Sequence, residues 1–265
     1  MIIIGERLNS SRKEVLEALK SKDKEFILKE SKQQKEKGAE FIDLNASLLM
    51  EKELETLKWA IPIIEKEAGI PVSIDSSDVK VLEKSLEIHQ GKAILNSLTI
   101  ESKKIKYLSG IIKEKKPYII GLLIDKDGMP NSPEEAYRKT LNFLEIIKHE
   151  GIDESEIFID PLVRPIATNS NIANIFFESL IKIKKSIPEL KTVAGISNVS
   201  FGLPRRKLIN RIFLTISIFN GLDAAILDPL DDEIISTIFS VEALLGKDKN
   251  LKNYLLFCRK LKNQY

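Results

Sequence analysis

With 265 residues, 43% hydrophobic and 30% charged, the chain is long enough to bury a full core, as one large α/β domain or two small ones. Its 41 Lys and Arg against 39 Asp and Glu leave a net charge of +2, and a pI near 8.4 lacks the basic excess of a nucleic-acid binder. The single cysteine, Cys258, excludes an internal disulfide framework and a cysteine-based zinc site, which fits a reducing compartment.

The opening "MIII" is too short for a signal-peptide core, and no basic segment precedes it. No apolar run approaches the roughly 18 residues of a membrane span, so a soluble cytoplasmic protein is expected. Short apolar runs then recur along the chain: "MIIIGERL", "EFIDLNA", "PVSIDSS", "KAILNSL", "YIIGLLID", "EIFIDPL", "TVAGISN" and "AAILDPL". They are rich in Ile, Leu and Val without strict alternation, the pattern of parallel strands covered on both faces.

Helical spacing fills the gaps. The charged run "KSKDKEFILKESKQQKEKG" reads as solvated amphipathic helix rather than as a binding patch. "DSSDVKVLEKSLEIHQG" opens on Ser and Asp and closes at Gly91. "SPEEAYRKTLNFLEIIKHEG" opens on Ser132-Pro133 and closes at Gly151. A final helix is expected from about Asn250 to Lys262.

About eight strand-plus-helix units in about 250 residues predict an α/β fold, a (β/α)8 TIM barrel. A doubly wound open sheet is disfavoured because no GxGxxG follows the first strand. Nothing in composition divides the chain, so residues 1–265 are expected to form a single domain.

In such barrels the active site lies where the strands end. The polar residues closing strands are Glu6, Asp43, Asn45, Asp75, Asn96, Asp160, Asn198 and Asp228. Each also has a structural alternative, capping the next helix or fixing a turn, and this weighs most for Asp43, Asn45 and Asp228. At Asp75 the neighbouring Ser77 and Asp78 are better placed as caps, and Pro161 holds Asp160 extended, away from a cap.

His89 and His149 both fall near helix ends, on the far face of the barrel, and are expected at the surface. A His-rich metal site is therefore not expected. No lysine closes a strand, no glycine-rich phosphate clamp follows the last two strands, and GxSxG is absent. The remaining carboxylates and amides suit a flat heterocycle whose edge alternates N–H donors with acceptors.

These segments carry a family resemblance. "IIIGERLN", "GAEFIDLNAS", "SIDSSD", "AILNS", "FIDPLVRP", "GISNVSFG" and "LINRIFLTISIFNGLDAAILDP" resemble, in order and spacing, the pterin-binding methyltransferases that move a methyl group between tetrahydrofolate and a corrinoid protein. The likeness is to the methyltetrahydrofolate:corrinoid/iron-sulfur protein methyltransferases and to the folate domain of cobalamin-dependent methionine synthase. It implies a pterin-binding type of TIM barrel.

The resemblance further implies that Asp75, Asn96 and Asp160 hydrogen-bond the pterin, and that Asn198 faces its N5 and activates it. Gly195 and Ser197 would line the same pocket, although Gly195 also reads as a tight barrel position. Arg206 matches an arginine near the site, with an ordinary exposed charge as its alternative. No metal and no tightly bound cofactor are implied: 5-methyltetrahydrofolate or tetrahydrofolate is substrate, and cobalamin is carried by a partner. That partner would be a corrinoid/iron-sulfur protein or another corrinoid protein that gives or takes methyl groups.

N5 of a methylated pterin leaves poorly unless it gains a proton or a strong hydrogen bond. An amide can accept from a protonated N5 or donate to a neutral one. The likeness breaks after Ser200, where Phe201 replaces the amide of the corrinoid/iron-sulfur enzyme's "SNVSQN" and resembles instead methionine synthase and other corrinoid-linked methyltransferases.

Rival readings are dihydropteroate synthase, a non-catalytic pterin-binding subunit, and a metal-assisted barrel using Asp43, Asp75, Asp160 and Asp228. The resemblance also implies a homodimer formed through barrel helices. The amphipathic C-terminal segment "NLKNYLLFCRKLKNQY" would either join that interface or close the barrel bottom.

Overall fold

The structure, a computed structural model, describes residues 1–262; Asn263 to Tyr265, the end of the C-terminal segment, lie outside the described residues. Eight parallel strands close on themselves in chain order: β1 (Ile2–Asn9), β2 (Phe41–Asn45), β3 (Val72–Asp75), β4 (Ile94–Thr99), β5 (Tyr118–Leu122), β6 (Ile157–Asp160), β7 (Lys191–Gly195) and β8 (Ala224–Leu227). Each matches an expected apolar run. Pairing of Ile2 with Ala224 and of Ile4 with Ile226 seals β1 against β8.

Helices cover the outside: α1 (Lys13–Ser21), α2 (Lys24–Glu36), α3 (Glu53–Pro62), α4 (Val79–Ile88), α5 (Ser102–Lys115), α6 (Pro133–His149), α7 (Ile172–Ser186), α8 (Arg206–Phe219), α9 (Asp232–Leu244) and α10 (Lys252–Lys262). The first charged run is two helices, because Lys22 takes a left-handed conformation and the Asp23 side chain caps the second by accepting from Phe26 N. Ser132 caps α6 in the same way, with Pro133 in its first turn. None of the described helices is long and apolar enough to cross a membrane.

Strand side chains alternate between the helices and the barrel interior. The interior series changes character with height. Ile2, Ile4, Phe41, Ile94, Tyr118, Ile120, Phe158, Val193, Ala224 and Ile226 form one apolar plug at the N-terminal end. Phe41, Tyr118 and Phe158 meet edge to face, with centroids 6.1 and 5.4 Å apart. Further along the same faces come Glu6, Asp43 and Asn45, Ser73 and Asp75, Asn96, and Asp160.

One expectation is corrected here. His149 is exposed, but His89 is only 6% exposed and its ring Nδ1 contacts the buried Glu65 carboxylate. The chain leaving α4 folds under the π-helical turn Ile63–Ala68, and Glu65 also accepts from Gln90 N at 3.0 Å. A contact across 24 residues leaves no trace in local spacing.

Candidate functional site

Register sets four polar residues at one height around the mouth: Asn9 pairs with Asn45, Asn45 with Asp75, and Asp75 with Asn96. Asn45 Nδ2 donates to Asp75 Oδ2 at 2.9 Å, while Asn45 Oδ1 accepts from the hydroxyls of Ser10 and Ser47, each at 2.9 Å. Those two donors fix the orientation of the Asn45 amide. One layer deeper, Asp43 Oδ1 accepts from Ser73 Oγ at 2.8 Å and from Asn96 Nδ2 at 3.0 Å. With one of its two N–H groups donated to Asp43, Asn96 keeps its carbonyl oxygen and its second N–H for a ligand.

Cap chemistry is handled elsewhere, as expected: Asp78 caps α4 by accepting from Lys80 N at 2.8 Å, so Asp75 is not needed there. Asp160 Oδ1 accepts from Leu162 N at 2.7 Å across Pro161 and holds Leu162 at φ 72°, an unusual conformation for a branched residue. Its other oxygen remains for the bowl. Asp228 is more fully occupied, accepting from Leu230 N and from Arg7 Nη1, each at 3.0 Å.

The carboxyls of Glu6, Asp43, Asp75 and Asp160 are hard to ionise. Burial pushes Asp160 up to about 7 against the opposing Leu162 N–H, and pushes Glu6 up to about 7 against its bond from Ser197. Burial also raises Asp43 and Asp75. Asp75 is raised further by the charge of Asp43, against the bond from Asn45. Ligand N–H groups that donate to these oxygens oppose the effect of burial and favour the carboxylate forms.

The β7 end presents the other wall. The strand runs into a 3-10 turn, Ile196–Ser200. Asn198 is exposed at the mouth, and a Cβ on Gly195 would lie 3.0 Å from Asn198 Nδ2, so the glycine leaves room for that amide. Ser197 Oγ donates to Glu6 Oε1 at 2.6 Å.

Arg206 is exposed and folds back over its own loop: Nη2 donates to Ser197 O at 2.8 Å, Nε donates to Ser200 Oγ at 3.1 Å, and its guanidinium lies 5.9 Å from the Phe201 ring centroid. It braces the turn that carries Asn198. Arg205, the residue before α8, is exposed at φ 53°. A cavity of about 490 Å³ opens between the ends of β1, β7 and β8, with Glu6, Ser197, Asn198, Phe201 and Arg206 among its walls.

The structure therefore gathers Asp75 and Asn96 at one side of the bowl, with Asp160 further round on β6, and Gly195, Ser197, Asn198 and Arg206 at the β7 side. Sequence reasoning noted Glu6, Asp43 and Asn45 as rim residues but gave them no part in the site. Their signal was parity: Asp43 and Asn45 lie two apart on one strand, and each shares a register level with an inward residue of β3. Among the described residues no group of three or more His, Cys, Asp or Glu is arranged to hold a metal ion.

Comparison with known proteins gives the family. Residues 5–228 match the pterin binding enzyme family, which is most of the chain. The chain belongs to the pterin-binding enzymes. It is 34% identical over 256 residues to the methylcorrinoid:tetrahydrofolate methyltransferase of Eubacterium limosum, covering 96% of this chain and 94% of that one. It is 28% identical over 241 residues to the methionine synthase of Mycobacterium tuberculosis, covering 85% of this chain but 20% of that protein.

Among solved structures, Xanthomonas albilineans dihydropteroate synthase superposes with a TM-score of 0.70 at 12% identity, over 94% of this chain and 93% of the other. Yersinia pestis dihydropteroate synthase gives 0.67 at 15%, over 92% and 93%. The pterin-binding barrel is thus shared with the synthases, while sequence sets this chain with the methyltransferases of the family.

Proposed function

We propose that this pterin-binding barrel transfers a methyl group between a methylcorrinoid held by a second protein and N5 of tetrahydrofolate. Asp75, Asn96 and Asp160 hold the pterin edge, and Asn198 faces N5. The observation that carries the reading is the acceptor set of the bowl: one carboxylate oxygen each of Asp75 and Asp160 remains for ligand donors, beside the Asn96 amide, which Asp43 holds through one of its two N–H groups. An edge that donates from an amino group and ring N–H groups fits that acceptor set.

The N5 lone pair would form N5–CH3 as the cobalt–carbon bond breaks with its electron pair left on the corrinoid, the N5 proton passing to solvent; with methyltetrahydrofolate as the donor the reverse takes up a proton at N5. The corrinoid supplies the cobalt that exchanges the methyl group. The chain's own residues orient the pterin and manage the proton at N5. Asn198 strengthens its hydrogen bond as charge develops on that nitrogen, and a bond that is strongest in the transition state accelerates the step. Ser197 and Arg206 keep the turn carrying Asn198 in place, and Gly195 leaves it room.

Phe201, 65% exposed beside the cavity, provides an apolar contact for the visiting corrinoid protein. On α8 the exposed Leu208, Ile212, Ile216 and Phe219 lie three or four residues apart and form one outward stripe. A second copy of the chain is its proposed occupant, and sedimentation should give a dimer that Ile212→Glu dissociates.

The decisive test is Asn198→Ala, assayed with methylcobalamin and tetrahydrofolate. Transfer should fall by about 100-fold, as when a transition-state hydrogen bond is deleted, with tetrahydrofolate affinity changed by less than about threefold. Equal losses in rate and affinity would reduce the chain to a pterin-binding subunit without a catalytic role.

A further inference from the structure

β1 carries a bulge where it enters the bowl. Gly5 pairs with Ile42 and Leu8 with Leu44, so Glu6 and Arg7 together oppose Asp43. The fully buried Gln34 of α2 fills the bulge: its Oε1 accepts from Arg7 N at 3.2 Å and takes the space that a Cβ on Gly5 would need. Arg7 is drawn to Glu30 on α2 and to Asp228, donating from Nε at 2.7 Å and from Nη1 at 3.0 Å. Such bulges re-aim a side chain beside an active site, and here that side chain is Glu6.

The Glu6 carboxyl reaches past β8, which separates β1 from β7, and its Oε1 accepts from Ser197 Oγ at 2.6 Å. Ser197 immediately precedes Asn198 in the turn after β7. Burial and the neighbouring Asp228 carboxylate both oppose a charge on Glu6, so an apolar side chain of similar size would be easier to bury here. Three other hydrogen bonds hold the turn: Arg206 donates to Ser197 O and to Ser200 Oγ, and Ile166 N donates to Val199 O at 3.0 Å. Water competes for the exposed bond from Arg206 to Ser197 O, whereas the Glu6 bond lies in the half-buried mouth, where a hydrogen bond is stronger.

We propose that Glu6 is a positioning residue for the methyl transfer: through Ser197 it ties the turn to the barrel wall and so aims the Asn198 amide at N5. The inference rests on the reading of Asn198 above and deepens it by naming what holds that residue. Glu6 acts by accepting a hydrogen bond, not by carrying a proton, so an amide oxygen at the same place should serve.

The test measures methyl transfer between methylcobalamin and tetrahydrofolate, and tetrahydrofolate affinity by equilibrium dialysis. It compares wild type with Glu6→Leu, Glu6→Gln, Ser197→Ala and the double variant Glu6→Leu/Ser197→Ala. Glu6→Leu should lower the transfer rate about 10- to 100-fold, the range for a misplaced group at a reacting centre, with affinity changed by less than about threefold. Glu6→Gln, whose amide oxygen can accept from Ser197 Oγ, should recover most of the rate. Ser197→Ala should lose as much as Glu6→Leu, and the double variant no more than either alone, because each removes the same bond. Circular dichroism checks folding, and Ser197→Ala carries the comparison if Glu6→Leu does not fold.

Losses that multiply in the double variant would mean that Glu6 acts other than through Ser197 and would overturn the inference. So would a Glu6→Gln variant as slow as Glu6→Leu, which would make Glu6 an acid or base, or a Glu6→Leu variant as fast as wild type. A parallel loss of tetrahydrofolate affinity would place Glu6 in the pterin site instead. If Asn198→Ala leaves the rate untouched, the reading of Asn198 fails and this inference with it. A rate that falls in Asn198→Ala but holds in Glu6→Leu and Ser197→Ala sinks only this inference.

Discussion

The two ends of the barrel interior are built from the same strands by opposite rules. At the N-terminal end the inward positions are aliphatic or aromatic, and Tyr118 is covered from outside by Lys92, whose Nζ lies 4.3 Å from the ring centroid. At the C-terminal end the next inward positions are Glu6, Asp43, Asn45, Asp75, Asn96 and Asp160. The lower half is arranged for burial, whereas the upper half keeps carboxyls in an environment that resists their ionisation. Stability and function are thus separated by about two residues along each strand.

The largest expected effect breaks the lower half. Phe158 is 3% exposed between Tyr118 and the aliphatic plug, so Phe158→Ala should destabilise the protein by about 3–5 kcal/mol. Denaturant unfolding measures this. The fraction that remains folded should bind tetrahydrofolate with unchanged affinity; a parallel loss of binding would show that the two ends are not separable.

The next effect has opposite signs in the two assays. Asp160 is raised from its ordinary 3.8 to about 7 by burial. A carboxyl raised on folding contributes stability that is fully present below its unfolded pKa and lost as pH rises through its folded pKa. Asp160→Asn cannot ionise and can still accept from Leu162 N. The variant should therefore be more stable than wild type at pH 8, with a flatter pH dependence of Tm between pH 5 and 8. It should also bind tetrahydrofolate about 10- to 100-fold more weakly, because a charge-assisted bond is lost. Unaltered binding would remove Asp160 from the pterin site.

How much of this was legible follows from which interactions are local. Strands announced themselves as apolar runs, and caps at Asp23, Asp78 and Ser132 are set by residues two or three positions away. Asp75, Asn96, Asp160 and Asn198 stood out because each interrupts or follows an apolar run, although only Asp75 and Asp160 close their strands: Asn96 lies within β4, and Asn198 lies in the turn beyond β7, because the chain leaves the sheet at Gly195. The roles of Asp43 and Asn45 did not, because each depends on the neighbouring strand's register: Asp43 holds Asn96 across 53 residues, and Asn45 holds Asp75 across 30. Reading the strands as covered on both faces hid the alternation in "FIDLN", where Phe41, Asp43 and Asn45 share the interior face. The burial of His89 against Glu65, and the bonds of Arg206 to Ser197 and Ser200, likewise required the fold.

The smallest effect sharpens the comparison most, because it acts within the upper half without touching the ligand. Asn45 is held by Ser10 and Ser47 and donates to Asp75, so its N–H favours the ionised form of a carboxyl that burial and the charge of Asp43 both disfavour. Asn45→Leu removes that donor at similar volume and leaves Asp75 harder to ionise. A hydrogen bond of about 0.5–1.5 kcal/mol corresponds to a displacement of up to about one pH unit. The rising limb of tetrahydrofolate binding against pH should therefore move to higher pH, with the affinity at its plateau nearly unchanged. A fall in the plateau with no displacement would mean that Asn45 contacts the ligand directly. The displacement alone would establish that the mouth of this barrel works by controlling which of its carboxyls can hold a charge.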